Sequence, residues 1–253
     1  MMLVSDLMST PVHAAKPGDT VSHARNLMLR HKISRVLVVD EGRAQGIITK
    51  KDIGFRLRKN DPDWRHRKMD SAPLSQVMST DLVSLSPDSS IRDALLLLVS
   101  HKISGAPVID QGMVLGVLTR TDILRSQLVD QLDIPVHEVM HEPAMVTPEH
   151  SSVHVVDLMK KGAGAVIVVD DGGAVGIITE SDLAFYEDNP ENAGSGTAAG
   201  MMRPTIPSLP ETARTREAVA VMLQTACQSV IISGKNGIKG IITRDDIIRE
   251  VVQ

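Results

Sequence analysis

Aromatic side chains are scarce in this chain, with one Trp, one Tyr and two Phe among 253 residues. A core must therefore be assembled from Val, Ile, Leu, Met and Ala rather than from rings. There is one cysteine, Cys227, which excludes an internal disulfide framework. Long apolar runs are missing too. The longest, such as Ala94 to Val99, fall far short of the ~20 residues a membrane helix needs. The start, MMLVSDLMST, lacks the basic n-region of a signal peptide, so a cytoplasmic protein is expected. No charge of one sign dominates. Lys and Arg number 27 against 31 Asp and Glu, a net charge of −4, which gives no general pull toward nucleic acid or anionic membranes.

What is present is repetition. Four segments read almost alike: VLVVDEGRAQGIITKKD (36–52), APVIDQGMVLGVLTRTD (106–122), AVIVVDDGGAVGIITESD (165–182) and SVIISGKNGIKGIITRDD (229–246). A methionine landmark precedes each: DLMST (6–10), QVMST (76–80), EVMHE (138–142) and AGMMR (199–203). Pro17, Pro87, Pro148 and Pro210 mark a third point, and the polar residues after the first two, Asp19-Thr20 and Asp88-Ser89-Ser90, suit a helix N-cap. In the second repeat Ile91, Ala94, Leu95 and Leu98 fall on one helical face. Two Val/Ile-rich runs follow, separated by a turn with Gly42, Gly112, Gly172-Gly173 or Asn236-Gly237, which is a hairpin pattern. A final helix starts after Thr49, Thr119, Thr179 and Thr243.

Each unit therefore reads strand–helix–strand–strand–helix, giving an α/β (α+β) class with four βαββα repeats at 1–60, 73–130, 135–188 and 197–253. The near-continuous apolar strands call for cover on both faces. A repeat of this size buries a marginal core alone, so repeats one and two are expected to pair, and three and four likewise. Residues 56–72 are polar and basic, and 187–200 read as a Gly/Ala-rich link.

The pattern Met-x(8–9)-Pro, helix, then V-V-D-x-x-G-x-h-h-G-h-h-T-x-x-D (h apolar) resembles the CBS domain. T-x-x-D recurs at Thr49–Asp52, Thr119–Asp122, Thr179–Asp182 and Thr243–Asp246. The resemblance implies pairing into Bateman modules that bind an adenosyl ligand: AMP, ADP, ATP or S-adenosylmethionine. Four copies resemble the layout of gamma subunits of the AMP-activated protein kinase, in which two modules form a disc, and of stand-alone prokaryotic CBS proteins. It implies a regulatory, non-enzymatic protein with no cofactor. Asp52, Asp122, Asp182 and Asp246 would hold ribose hydroxyls, and Thr49, Thr119, Thr179 and Thr243 would contact ligand oxygens. Arg35 resembles a phosphate-contacting position, alongside Ser34, Ser104, Lys51 and Arg120. T-x-x-D before an apolar helix also matches a capping box, so both roles are expected of it. Repeat three has Gly164 and Ala165 where repeat one has Ser34 and Arg35, and Glu180 inside its motif. The first module is thus expected to hold a nucleotide phosphate, and the second something less anionic or nothing.

The sequence offers three other readings. The stretch 56–68, with Trp64 among Arg and Lys, would suit a nucleic-acid-binding adaptor, although Asp61 and Asp63 interrupt it. His137-Glu138-Val139-Met140-His141 fits the metalloprotease pattern H-E-x-x-H, but Pro135 and Pro143 bracket it too tightly for a sustained helix. A structural assembly piece with an empty cleft is the third. Cys227 reads as a packing residue, and His31 and His101 sit at equivalent helix ends, where a cation would favour the dipole. A partner protein and a homodimer both remain open.

Overall fold

The computed structural model describes residues 2–53, 70–179, 182–183, 196–204, 206–225, 227–235 and 237–252. The basic stretch 56–68, the link 187–195, Glu180 and Asn236 lie outside the described residues. The chain divides into two compact units, 1–122 and 123–253. Among the described residues, no helix is long and apolar enough to cross a membrane.

Unit one opens with a single-turn helix α1 (Val4–Leu7), strand β1 (Ala14–Ala15), helix α2 (Val21–Arg30) and the hairpin β2 (Arg35–Asp40) and β3 (Arg43–Thr49). Its second repeat runs through α3 (Leu74–Val77), α4 (Ile91–Ser100), β4 (Gly105–Asp110) and β5 (Met113–Thr119), ending in α5 (Arg120–Leu124). Unit two has α6 (Gln127–Asp130), α7 (Val136–Val139), β6 (Ala144–Val146), α8 (Ser152–Lys160), β7 (Ala165–Asp170) and β8 (Gly173–Thr179). It continues with α9 (Ala198–Met201), β9 (Ser208–Pro210), α10 (Thr215–Thr225), β10 (Ser229–Gly234), β11 (Gly237–Thr243) and α11 (Arg244–Val252). The first strand of a repeat lies parallel to the first hairpin strand, as in β1-β2-β3, β6-β7-β8 and β9-β10-β11. In repeat two a lone parallel bridge, Leu85 to Val108, takes that place.

Local chemistry explains the elements. Asp40 pairs with Arg43, so β2 and β3 are joined by two residues, Glu41 and Gly42, with φ of 47° and 78°. Gln111-Gly112 and Asp171-Gly172 repeat this left-handed pair, the backbone of a type I′ turn. Helix α4 starts at Ser90, whose Oγ accepts from Asp93 N at 3.1 Å. Its Ile91, Ala94, Leu95 and Leu98 are all buried, the face expected from their spacing. The hairpin strands are covered on both sides: Val36–Val38, Val166–Val168 and Val230–Ile232 are each at most 1% exposed.

The repeats pair by exchanging their leading segments. Residues 2–9 precede repeat one but dock on repeat two: Val4 N donates to Ser89 O, Ser5 N to Pro87 O, and Ser9 and Val117 exchange backbone hydrogen bonds at 2.9 and 3.2 Å. The reverse trade joins Leu74 N to Asp19 O and Ser79 to Ile47. Unit two repeats the arrangement with Val136 N to Ala213 O, His141 with Ile241, Ala198 N to His150 O, and Arg203 with Ile177.

The landmark methionine completes the exchange by lying on a glycine of the partner's second hairpin strand. A Cβ added at Gly46, Gly116 or Gly240 would lie 2.5, 2.7 or 2.7 Å from Sδ of Met78, Met8 or Met140. At Gly176 it would lie 2.7 Å from the Cβ of Met202, which a side-chain rotation cannot move. Gly176→Ala is therefore expected to destabilise unit two by about 1–3 kcal/mol through overpacking. Gly164→Ala, whose new methyl would meet only Thr243 Cγ2 at 3.8 Å, should cost less than about 0.5 kcal/mol. Urea unfolding of both variants checks this; equal stabilities would contradict the close approach of Met202.

Candidate functional site

The four T-x-x-D motifs share one clasp. Thr49, Thr119, Thr179 and Thr243 each donate their backbone N–H and their hydroxyl to Oδ2 of the aspartate three residues on. The distances are 3.0 and 2.7 Å at Asp52, and 2.7 and 2.6 Å at Asp122, Asp182 and Asp246. Asp52 N and Asp246 N return a bond to the Thr hydroxyl at 3.2 and 3.4 Å. This is a helix-capping arrangement, and it fixes the orientation of each carboxylate. None of the four aspartates is exposed: Asp246 is buried and the others are half-buried.

At Asp122 and Asp182 the second carboxylate oxygen meets a residue delivered by the partner repeat, and at Asp246 such a residue meets the clasped oxygen. Ser9 Oγ donates to Asp122 Oδ1 at 2.7 Å. Arg203 Nε lies 2.8 Å from Asp182 Oδ1, and its Nη2 donates to Thr179 Oγ1 at 3.3 Å. His141 Nδ1 is 3.2 Å from Asp246 Oδ2, while Arg249 Nη2, on α11 itself, donates to Asp246 Oδ1 at 2.6 Å. Ser9, His141 and Arg203 each follow a landmark methionine. None was singled out as a ligand-site residue of the repeats, His141 being read only within the H-E-x-x-H pattern, because the landmark sits next to its own repeat in the chain and only the exchange carries it to the other.

Arg35 also crosses. Its Nη2 donates to Ser104 Oγ at 2.7 Å, and a Cβ at Gly105 would come within 3.0 Å of its guanidinium carbon. Glycine at 105 thus permits the guanidinium to lie over the start of β4. Arg35 is half-buried in this contact, not a fully solvated surface arginine. Ser34 and Ser104 contribute carbonyls to Lys50 N and Arg120 N, closing the base of each hairpin. Arg120 is half-buried at the start of α5, and Lys51 is exposed. Arg35 and Ser104 are brought together.

One expectation needs correcting. Unit two is not poor in basic side chains: Arg203, His141 and Arg249 surround its aspartates, and a survey of each repeat's own hairpin cannot find them. His31 stands at the C-cap of α2, where its ring stacks on His13 at 3.6 Å, and desolvation, His13 and Arg30 together hold its pKa below the ordinary histidine value. His101 caps α4 with Nδ1 3.0 Å from Leu97 O.

The H-E-x-x-H segment forms one turn only. Helix α7 stops at Val139 and Met140 is extended, so His137 and His141 do not share a helical face. Among the described residues, no group of three or more His, Cys, Asp or Glu could hold a metal ion. Cys227 is a free, buried side chain.

Paired βαββα repeats that trade leading segments, with an oriented carboxylate at each exchange, define a tandem-repeat binding module. The chain belongs to the CBS domain family, whose model matches residues 4–57, 74–128, 136–188 and 198–253. The CBS domain-containing protein YhcV of Bacillus subtilis is 33% identical over 131 residues, covering 52% of this chain and 89% of that protein. Protein MJ1225 of Methanocaldococcus jannaschii is 24% identical over 259 residues, 92% of each chain. The crystal structure of MJ1225, a proposed archaeal homolog of g-AMPK, matches with a TM-score of 0.86 at 20% identity, over 98% of this chain and 99% of that one. An uncharacterized protein from Pyrococcus horikoshii matches at 0.67 and 18% identity, over 99% and 100%. At these identities the two structures establish the shared fold.

The His141–Asp246 pair is titratable. The hydrogen bond that His141 donates to Asp246 raises the histidine's pKa against partial desolvation. Burial pushes Asp246 up, but bonds from His141 and from the Thr243 side chain and backbone outweigh it, and the net shift is downward. The histidine's contribution is complete below its unfolded value near 6.5 and fades as pH rises through its raised folded value. The aspartate's is present above about 3.9 and is lost as pH falls through its lowered value. Unit two should thus gain most from the pair between about pH 4 and 6.5. His141→Ala is expected to flatten the fall in stability from pH 6 to 8, by less than about 1 kcal/mol because the ring is 48% exposed. Denaturant unfolding at the two pH values checks this; an unchanged slope would contradict the coupling.

Proposed function

We propose that this chain is a regulatory, non-catalytic protein of the cytoplasm that senses an adenosyl ligand, AMP, ADP, ATP or S-adenosylmethionine, between the paired repeats of a unit. Family membership and four equivalent clasps support the reading. The observation that carries it is the setting of Asp122. Its Oδ2 is engaged by Thr119, while Oδ1 accepts from the hydroxyl of Ser9 at a solvent-accessible meeting of two repeats. A ribose hydroxyl can replace a serine hydroxyl there like for like, an O–H···O⁻ bond for another of the same kind. Arg35, lying over Gly105, brings a planar guanidinium suited to a phosphate. A ligand that touches both repeats favours the geometry in which both contacts are made, and so shifts the population of the unit.

Calorimetry and thermal shift test this with AMP, ATP and S-adenosylmethionine. A ligand that binds the native state raises the melting temperature. Asp122→Asn, which keeps an oxygen for the Thr119 clasp, should weaken AMP binding in unit one about tenfold or more. Arg35→Ala should weaken AMP and ATP while leaving adenosine unchanged. No thermal shift with any of the three ligands, or AMP affinity indifferent to both substitutions, would overturn the proposal.

A further inference from the structure

The residue after the landmark methionine has the same backbone placement in all four repeats but a different chemistry in the two units. Ser9 pairs with Val117, Ser79 with Ile47, His141 with Ile241 and Arg203 with Ile177. Unit one thus carries hydroxyls at this position and unit two carries cations. Arg203 and His141 are 41% and 48% exposed, while the aspartates beneath them, Asp182 and Asp246, are 12% and 5% exposed. Each cation is a solvent-facing cover over a carboxylate that is itself withdrawn from water. Asp246 has Arg249 as a second cationic partner at 2.6 Å.

We propose that Arg203 and His141 are specificity-determining residues of unit two, which admit a sugar diol to Asp182 and Asp246 only when the ligand also carries an anionic group. The inference rests on the reading that the T-x-x-D aspartates hold a ribose. A diol reaching Asp182 breaks its ion pair with Arg203, and one reaching Asp246 breaks its contact with His141. A neutral nucleoside returns nothing to the displaced guanidinium or imidazolium, which is left beside a carboxylate now engaged elsewhere. A phosphorylated nucleoside returns a counter-charge, and the fork of Arg203 can take a phosphate in two parallel bonds. Ser9 imposes no such condition, because a displaced hydroxyl can turn to water. Unit one is therefore tolerant of the ligand's charge at this position, and unit two demands an anion. The two units therefore differ in what they tolerate: unit one accepts the nucleoside with or without its phosphate, and unit two only the phosphorylated form.

The test is calorimetric titration of the full chain with AMP and with adenosine. In the unaltered protein AMP should saturate at a higher stoichiometry than adenosine, whose binding is confined to unit one. The double variant Arg203→Ser/His141→Ser places unit one's residue at both positions and should raise the adenosine stoichiometry by opening Asp182 to it, while Arg249 still engages Oδ1 of Asp246. The reciprocal variant Ser9→Arg, at an exposed position, should weaken adenosine at Asp122 about tenfold while AMP binding there survives. It keeps the inference testable should the double variant fail to fold. Equal stoichiometries for AMP and adenosine in the unaltered chain would overturn it. So would an adenosine response unchanged in a folded double variant, or in Ser9→Arg. AMP binding that persists alongside those results would leave the adenosyl reading intact, whereas absence of AMP binding altogether would remove both.

Discussion

The exchange of leading segments between paired repeats is the constraint on which the rest of this structure depends. A chain with almost no aromatic residues cannot close a repeat-sized core with a few large rings. It closes two at once by lending each repeat's first residues to the other. The methionine supplies an adaptable apolar side chain for the seam, and the facing glycine lets the backbones approach. Because the borrowed segment also forms backbone hydrogen bonds with the second hairpin strand, the next residue is held over the partner's T-x-x-D carboxylate. One packing solution therefore builds the core and equips the site.

The same geometry makes the site easy to vary. The clasp from threonine to aspartate is identical in all four repeats because it caps a helix, a structural need that does not depend on any ligand. The residue brought from the other repeat has no such duty. It is a serine in unit one and a histidine or arginine in unit two, and this changes the electrostatic state of a fixed carboxylate without altering the fold. A binding class can thus be adjusted by single substitutions at one point of the repeat.

Much of the fold was legible in the sequence because its signals are local. The two-residue turns at Glu41-Gly42 and Gln111-Gly112, the buried face of α4 and the capping role of T-x-x-D each follow from a few neighbouring residues. The pairing of repeats one with two and three with four was legible from the thin core of a single repeat. The crossing of Ser9, His141 and Arg203 was not. Adjacency in the chain ties each to its own repeat, and periodicity carries no information on which hairpin a segment joins. The cations of unit two were undercounted for this reason. The helix-end position of His31 was legible, but its stacking on His13 was not, because a strand and a helix separate the two in sequence. The ligand-holding role proposed for the aspartates rests on the resemblance to the CBS family.

The central claim is that a residue lent by one repeat and an aspartate fixed by the other together receive the ligand. A crystal structure of the chain with AMP tests it most directly. The account predicts ribose hydroxyls on Oδ1 of Asp122, with the Thr119 clasp intact and the Ser9 hydroxyl turned away. AMP seated elsewhere, with Ser9 still bonded to Asp122, would contradict it.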